Sequence, residues 1–224
     1  MRLPSHNLIP LMISQLVDFF LVGYVSNRLF LFLLTFLFLY VIIYISYNYI
    51  ISKKFRFVKL GGRMEIYCDG SCRGNGTANA EGGFGVVVVD NSEVVNTYAE
   101  THQQTTNNRM EMMAIMWAIV TYREEIAAGD VIIFSDSQYA VNTFSNWIWS
   151  WYNRGWKKSN KQTPENLTLL KKYVIITDDG KLPVQLRYVR GHNGNTYNEW
   201  ADALATGACK AETTKGEKID FEQL

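Results

Sequence analysis

Cysteine is scarce in this chain: three residues in 224, Cys68, Cys72 and Cys209. An odd set without metal-ligand spacing builds no disulfide framework. Cys68 and Cys72 also lack the two further ligands that a zinc site needs. The thiols are therefore read as reduced, as in a cytosolic protein. Net charge is almost missing too, at +1, but that average conceals two opposed parts. Ahead of Met64 stand seven Lys/Arg and one Asp, a balance of +6; from Met64 onward 15 basic residues face 20 acidic ones, a balance of −5. Such asymmetry marks two environments. An acidic domain does not bind nucleic acid through bulk charge, so any such role must rest on local clusters.

What is abundant is apolar sequence near the start. Leu29 to Ile51 carries no charge, and sixteen of its residues are Leu, Ile, Phe or Val. Its length suits a helix across a bilayer core of ~30 Å, with insertion favourable by roughly 5–9 kcal/mol. Lys53, Lys54, Arg56, Lys59 and Arg63 follow, and by the positive-inside rule they would hold everything downstream in the cytoplasm. A cleaved signal peptide fits worse, because no small-residue cleavage site follows the run. A second reading stands beside the membrane anchor. Leu60-Gly61-Gly62-Arg63-Met64 can be encoded by TTA-GGA-GGT-AGA-ATG, a bacterial ribosome-binding tract just ahead of a start codon. On that reading Met64 initiates a cytoplasmic protein, and residues 1–63 are upstream DNA read in frame. The DNA preceding codon 64 decides between them.

Beyond Met64 the chain alternates between strand and helix signals. Glu65–Asp69, Phe84–Asp90 and Glu93–Glu100 are short β-branched or alternating runs, read as three consecutive antiparallel strands. Met110, Met113, Ala114, Trp117 and Ala118 recur at helical spacing and predict a helix from Asn107 to Ala128, stopped by Gly129. Val131–Ser135 reads as a fourth strand and Ser137–Phe144 as a short helix. An aromatic and basic stretch, Trp147–Lys161, leads to a helix from Pro164 to Ile176. Val184–Arg190 reads as the fifth strand, Thr196–Ala208 as the last helix, and the tail beyond Lys210 as polar and frayed. The order βββαβααβα predicts an α/β fold: a five-stranded mixed sheet, three antiparallel strands and then two parallel, flanked by helices.

Four carboxylates stand where these elements begin or end: Asp69, Glu111, Asp136 and Asp202. Placed so, they can converge on one rim of the sheet. Taken singly, each reads as a solvated surface residue. Together, like charges raise one another's pKa or recruit cations. Ligation by carboxylate and water suits Mg²⁺ or Mn²⁺, and two such ions ~4 Å apart can bracket an in-line phosphodiester displacement.

The surrounding residues sharpen this. Tyr67-Cys68-Asp69-Gly70-Ser71-Cys72-Arg73-Gly74-Asn75-Gly76, Thr106-Asn107-Asn108-Arg109-Met110-Glu111, Phe134-Ser135-Asp136-Ser137-Gln138-Tyr139, Val189-Arg190-Gly191-His192-Asn193-Gly194 and Asn198-Glu199-Trp200-Ala201-Asp202 closely resemble the type 1 ribonuclease H family, bacterial branch. The resemblance runs from Met64 to Lys210. It implies an endonuclease that hydrolyses RNA paired to DNA, leaving 3′-hydroxyl and 5′-phosphate ends, with two Mg²⁺ ions and Mn²⁺ as a substitute. It assigns Asp69, Glu111, Asp136 and Asp202 as metal-binding catalytic carboxylates, and His192 as a mobile auxiliary to proton transfer or product departure. His6 and His102 carry no such motif and read as structural or idle. Asn75, Asn107, Asn108 and Gln138 match contacts to the minor groove, where RNA is told from DNA by its 2′-hydroxyls. Thr106 and Asn166 match a phosphate pocket, and Trp147 an aromatic that packs on deoxyribose. Thr106 or Asn107 also suits a helix N-cap.

Trp147, Trp151, Arg154, Trp156, Lys157, Lys158 and Lys161 resemble the family's basic protrusion. Residues 154–161 hold four basic residues and no acid, so affinity there should fall with salt. Trp151 and Trp156 are expected to be partly core. Tyr152 and Asn153 stand where bacterial relatives often have lysine, which weakens the grip. The implied organisation is a hydrophobic N-terminal segment (1–63), a catalytic domain (64–210) and a polar C-terminal tail (211–224), in a monomer that touches a membrane only if residues 1–63 are translated. Three rivals remain: a DNA-directed nuclease on the same fold, a silent hybrid-binding module, and a membrane-anchored form whose catalytic domain faces the cytoplasm. The silent module should have lost a carboxylate, and none is missing.

Overall fold

In the structure, a computed structural model that describes residues 63–221, the first three described elements are strands joined by two reversals of the chain. Met64–Arg73 (β1), Glu81–Asp90 (β2) and Glu93–Gln103 (β3) pair as antiparallel neighbours. The β2–β3 turn is Asn91-Ser92, with φ of 52° and 66°, the left-handed pair that matches the twist of a tight hairpin. Val131–Ser135 (β4) and Leu186–Tyr188 (β5) add in parallel on the far side of β1, giving the order β3-β2-β1-β4-β5. This is the mixed sheet that the sequence predicts. The run Leu29–Ile51 lies outside the described residues, among which no helix is long and apolar enough to cross a membrane.

Both faces of the sheet are covered. Ile66, Cys68, Phe84, Val86 and Val88 join one buried cluster, while Tyr67, Val87 and Val89 join the other. That alternation is the strand period of two, and it explains why Val86–Val89 is an unbroken apolar run. The first face receives Asn107–Thr121 (α1), Arg123–Ala127 (α2), Gln138–Asn142 (α3), Ile148–Asn153 (α4) and Leu167–Ile176 (α5). The second receives Thr196–Ala205 (α6). Helix α1 is buried on every side from Met110 to Ile119, the mark of a central helix rather than a surface one.

Several boundaries differ from expectation. The helix foreseen over Asn107–Ala128 breaks at Tyr122 (φ −111°, ψ 28°) into α1 and α2; Gly129, at φ +82°, does end it. The aromatic stretch from Trp147 is helical as far as Asn153, joined to α3 through a π-turn at Thr143–Trp147. Helix α5 starts at Leu167, β5 spans only Leu186–Tyr188, and α6 ends at Ala205.

The largest difference concerns the tail, which is not frayed within the described residues. Thr97 N donates to Glu212 O (3.2 Å), Thr214 N to Asn96 Oδ1 (2.8 Å) and Asn96 Nδ2 to Lys215 O (2.8 Å), along the side of β3 that faces away from β2. Trp117 Nε1 donates to Glu217 O (2.9 Å), and Phe221 is 3% exposed. An edge strand exposes unpaired backbone groups that invite aggregation; here the chain's own end occupies them.

Candidate active site

Register places the first two carboxylates. Cys68 on β1 pairs with Ser135 on β4, so Asp69 and Asp136, each one residue further on, lie side by side at the same level. Strand β4 ends at Ser135, but β1 does not end at Asp69, where the sequence predicts its end; it runs on to Arg73 because its pairing with β2 continues. Glu111 arrives on the first turn and a half of α1, whose N-cap is Thr106: its side chain accepts from Arg109 N at 3.3 Å. The close approach of α1 to β1 depends on Gly70. A Cβ there would lie 2.2 Å from Glu111 N and 2.6 Å from Met110 C, distances only glycine permits. Asp202 arrives on α6, which settles onto β2 over Gly83 and Gly85. Cβ atoms at those positions would meet Ala205 O at 2.6 Å and Ala201 O at 2.2 Å.

The result is a carboxylate cluster. One oxygen each from Asp69, Glu111 and Asp136 lie within 4.8 Å of one another. Asp202 is outside that triplet, but it lies near enough for its charge to act on Asp69. Asp69 and Glu111 are only 6% and 5% exposed. Burial, then the charges of Asp136 and Asp202, push the Asp69 carboxyl up to about 8, against the opposing hydrogen bond from Gly70 N (2.9 Å). Glu111 is raised well above the usual range by burial first and by Asp69 and Asp136 next. Its Oε1 receives Asn107 Nδ2 at 3.5 Å, while its Oε2 is buried with no hydrogen-bond partner. Crowded, dehydrated carboxylates with a bare oxygen are short of positive charge. An all-oxygen set of this kind fits a hard divalent cation such as Mg²⁺ or Mn²⁺.

Around the cluster, Asn75 Oδ1 accepts from Asn107 N at 3.1 Å, and Gln138 N donates to Asp136 O at 3.1 Å. Asn108 is half-buried and Gln138 exposed. His192 is exposed at φ +50°, in a loop whose Gly191 is packed so closely that a Cβ on it would lie 2.5 Å from Asp136 Oδ2. At the other end of that loop, Gly194 N donates to Glu199 Oε1 at 3.1 Å. Asn166 stands apart, at φ +54°, its Nδ2 4.0 Å from Met112 Sδ on the second turn of α1.

The aromatic and basic residues form a separate patch. Trp147 is 41% exposed and sits edge-on to Tyr139, with ring centroids 6.0 Å apart. It shares a groove with Ser150, Trp151, Arg154, Lys158 and Ser159. Trp151 is buried, and Trp156 is partly buried beside Tyr152. Arg154 is held by Ser150 and Lys157 by Thr163.

Sequence reading missed Asn198 as a site residue. It is 2% exposed and donates Nδ2 to Asp136 Oδ2 at 3.0 Å. A signal was available, since Asn198 precedes Asp202 by four residues and so shares its helix face.

Comparison with known proteins gives a consistent result. A family model described as RNase H matches residues 61–210. A ribonuclease H of Vibrio vulnificus (strain YJ016) is 37% identical over 151 residues, which cover 67% of this chain and 92% of that one. A ribonuclease H of Thermosynechococcus vestitus is 35% identical over 140 residues, covering 62% of this chain and 84% of that one. Among solved structures, LC9-RNase H1, described as a type 1 RNase H with the type 2 active-site motif, superposes with a TM-score of 0.54 at 28% identity, covering 74% of this chain and 82% of that one.

Proposed function

Because the chain belongs to the ribonuclease H family, as a type 1, bacterial-like enzyme, we propose that it hydrolyses the RNA strand of RNA–DNA hybrids. Residues 64–210 form the catalytic domain on this reading, acting as a monomer in the cytoplasm and leaving 3′-hydroxyl and 5′-phosphate ends. Asp69, Glu111, Asp136 and Asp202 would hold two divalent cations, Mg²⁺ or in its place Mn²⁺. Such a pair supplies the positive charge against which a phosphodiester displacement develops its negative charge.

The protein's own groups do the rest. Asn75, Asn107, Asn108 and Gln138 border the carboxylates with amides that both donate and accept, as reading a ribose 2′-hydroxyl requires. Thr106 and Asn166 receive a phosphate of the DNA strand, and Trp147 offers an exposed ring to a deoxyribose. Arg154, Trp156, Lys157 and Lys158 hold the backbone further out. His192, on a loop anchored beside Asp136, moves a proton at the departing oxygen.

The observation that carries this reading is the carboxylate cluster itself, in which Glu111 Oε2 is buried without a partner. The test is cleavage of labelled RNA–DNA hybrid and of DNA duplex by the full chain, in Mg²⁺ or Mn²⁺ and with EDTA. Hybrid should be cut only with metal, and Asp136→Asn should abolish cleavage while still binding hybrid. Cleavage of DNA duplex in preference to hybrid would make the chain a DNA nuclease on the same fold.

A further inference from the structure

Asp136 is the least buried of the three clustered carboxylates, so packing does least to fix it. Its Oδ2 is nevertheless held from two sides. Asn198 Nδ2 donates to it at 3.0 Å, and Gly191 lies against it where no side chain would fit. Asn198 is itself 2% exposed, and while its Nδ2 serves Asp136 its Oδ1 is buried without a partner. An unpaired buried acceptor is destabilising, because it has given up water and gained nothing in return. A leucine of similar shape would avoid that cost, so stability alone does not account for an amide here. Position supplies a reason. Asn198 stands one helical turn before Asp202 on α6, whereas Asp136 follows β4. The amide therefore ties a carboxylate on the sheet to the helix that carries another.

We infer that Asn198 is a positioning residue, whose Nδ2 fixes the Asp136 carboxylate in the orientation that shares a divalent cation with Asp69 and Glu111. This rests on the metal-binding reading given above. The side chain touches neither substrate nor reacting atoms; it acts through Asp136.

The experiment measures Mn²⁺ alone binding to the full chain, by calorimetry or by electron paramagnetic resonance, with no nucleic acid present. Asn198→Leu keeps the volume and removes the donor. It should retain or raise the melting temperature while weakening Mn²⁺ binding about 10–100-fold, the range typical of lost support to a metal ligand. In Asp136→Ala, which has already lost the carboxylate, adding Asn198→Leu should change Mn²⁺ affinity no further, because the amide then has nothing to orient. Additive losses would overturn the inference, as would unchanged Mn²⁺ binding in Asn198→Leu. A leucine variant that fails to fold would also overturn it, by making the amide a stability residue. Wild-type protein that takes up no Mn²⁺ would sink the metal reading itself and this inference with it.

Discussion

Replacing Gly70 with alanine tests how the carboxylates are brought together. The added methyl would sit 2.2 Å from Glu111 N, short of the 3.4 Å where ordinary contact begins by about 1.2 Å. Met110 C and Glu111 Cα, at 2.6 and 2.8 Å, block the other directions. All three are backbone atoms of α1, so no side chain can swing aside and the start of the helix must lift from β1. Overpacking of this kind costs roughly 1–3 kcal/mol, or a fall in melting temperature of about 2–12 °C at this size. The functional loss should be larger in proportion. Glu111 rides on the displaced turn while Asp69 stays on the strand, and a misplacement of ~1 Å typically costs on the order of 100-fold in turnover. Thermal denaturation and single-turnover hybrid cleavage measure the two effects. Gly129→Ala is the control: its φ of +82° makes it strained, but nothing lies within 4 Å, so it should lose about 1 kcal/mol and keep its turnover. A Gly70→Ala protein with wild-type melting and wild-type turnover would refute the packing of α1 on β1.

Three further outcomes are expected. His192→Ala should slow turnover without abolishing it, as for an auxiliary proton-transfer group; a lost affinity for hybrid would instead make His192 a binding residue. Asp69 is raised from 3.8 to about 8 by burial and then by Asp136 and Asp202, so the folded chain keeps a proton that the unfolded chain releases. Stability without metal should therefore fall as pH rises through that window, and the gain in melting temperature on adding Mg²⁺ should be greater at about pH 9 than at about pH 5; a gain independent of pH would contradict it. Phe221→Ala should cost about 3 kcal/mol, the low end for a buried phenylalanine because a chain terminus can collapse into the space. Melting should fall by roughly 6–12 °C, and an unchanged melting point would mean that the C-terminal segment is not docked.

How much of this was legible depended on whether the signal was local. The bounds of β4 could be read directly, because Val131–Ser135 is an apolar run between Asp130 and Asp136. The level of Asp69 beside Asp136 could be expected from the family resemblance, while its physical cause, the pairing of Cys68 with Ser135, appears only in the sheet. Methionines at helical spacing marked α1, yet the spacing pointed to one buried stripe where every side is covered. Burial all round comes from partners such as α5 and the tail, which no local pattern announces. The tail misled for the same reason. Its polar residues suggest fraying, but Thr213 and Thr214 direct hydroxyls to Thr97 O and Val95 O, and Glu212 N reaches Thr97 Oγ1. Those partners stand 115–119 residues earlier, beyond any periodicity argument.

That separation has a consequence for how the protein is made. The ribosome delivers β3 long before the residues that shield its outer side, and at ~5–20 residues per second the interval is on the order of ten seconds. Through that time the nascent sheet presents an open edge to every neighbouring chain. Slow synthesis, or a premature stop shortly after Lys210, would thus be felt first as aggregation, before any loss of the chemistry performed by the carboxylates of Asp69, Glu111 and Asp136.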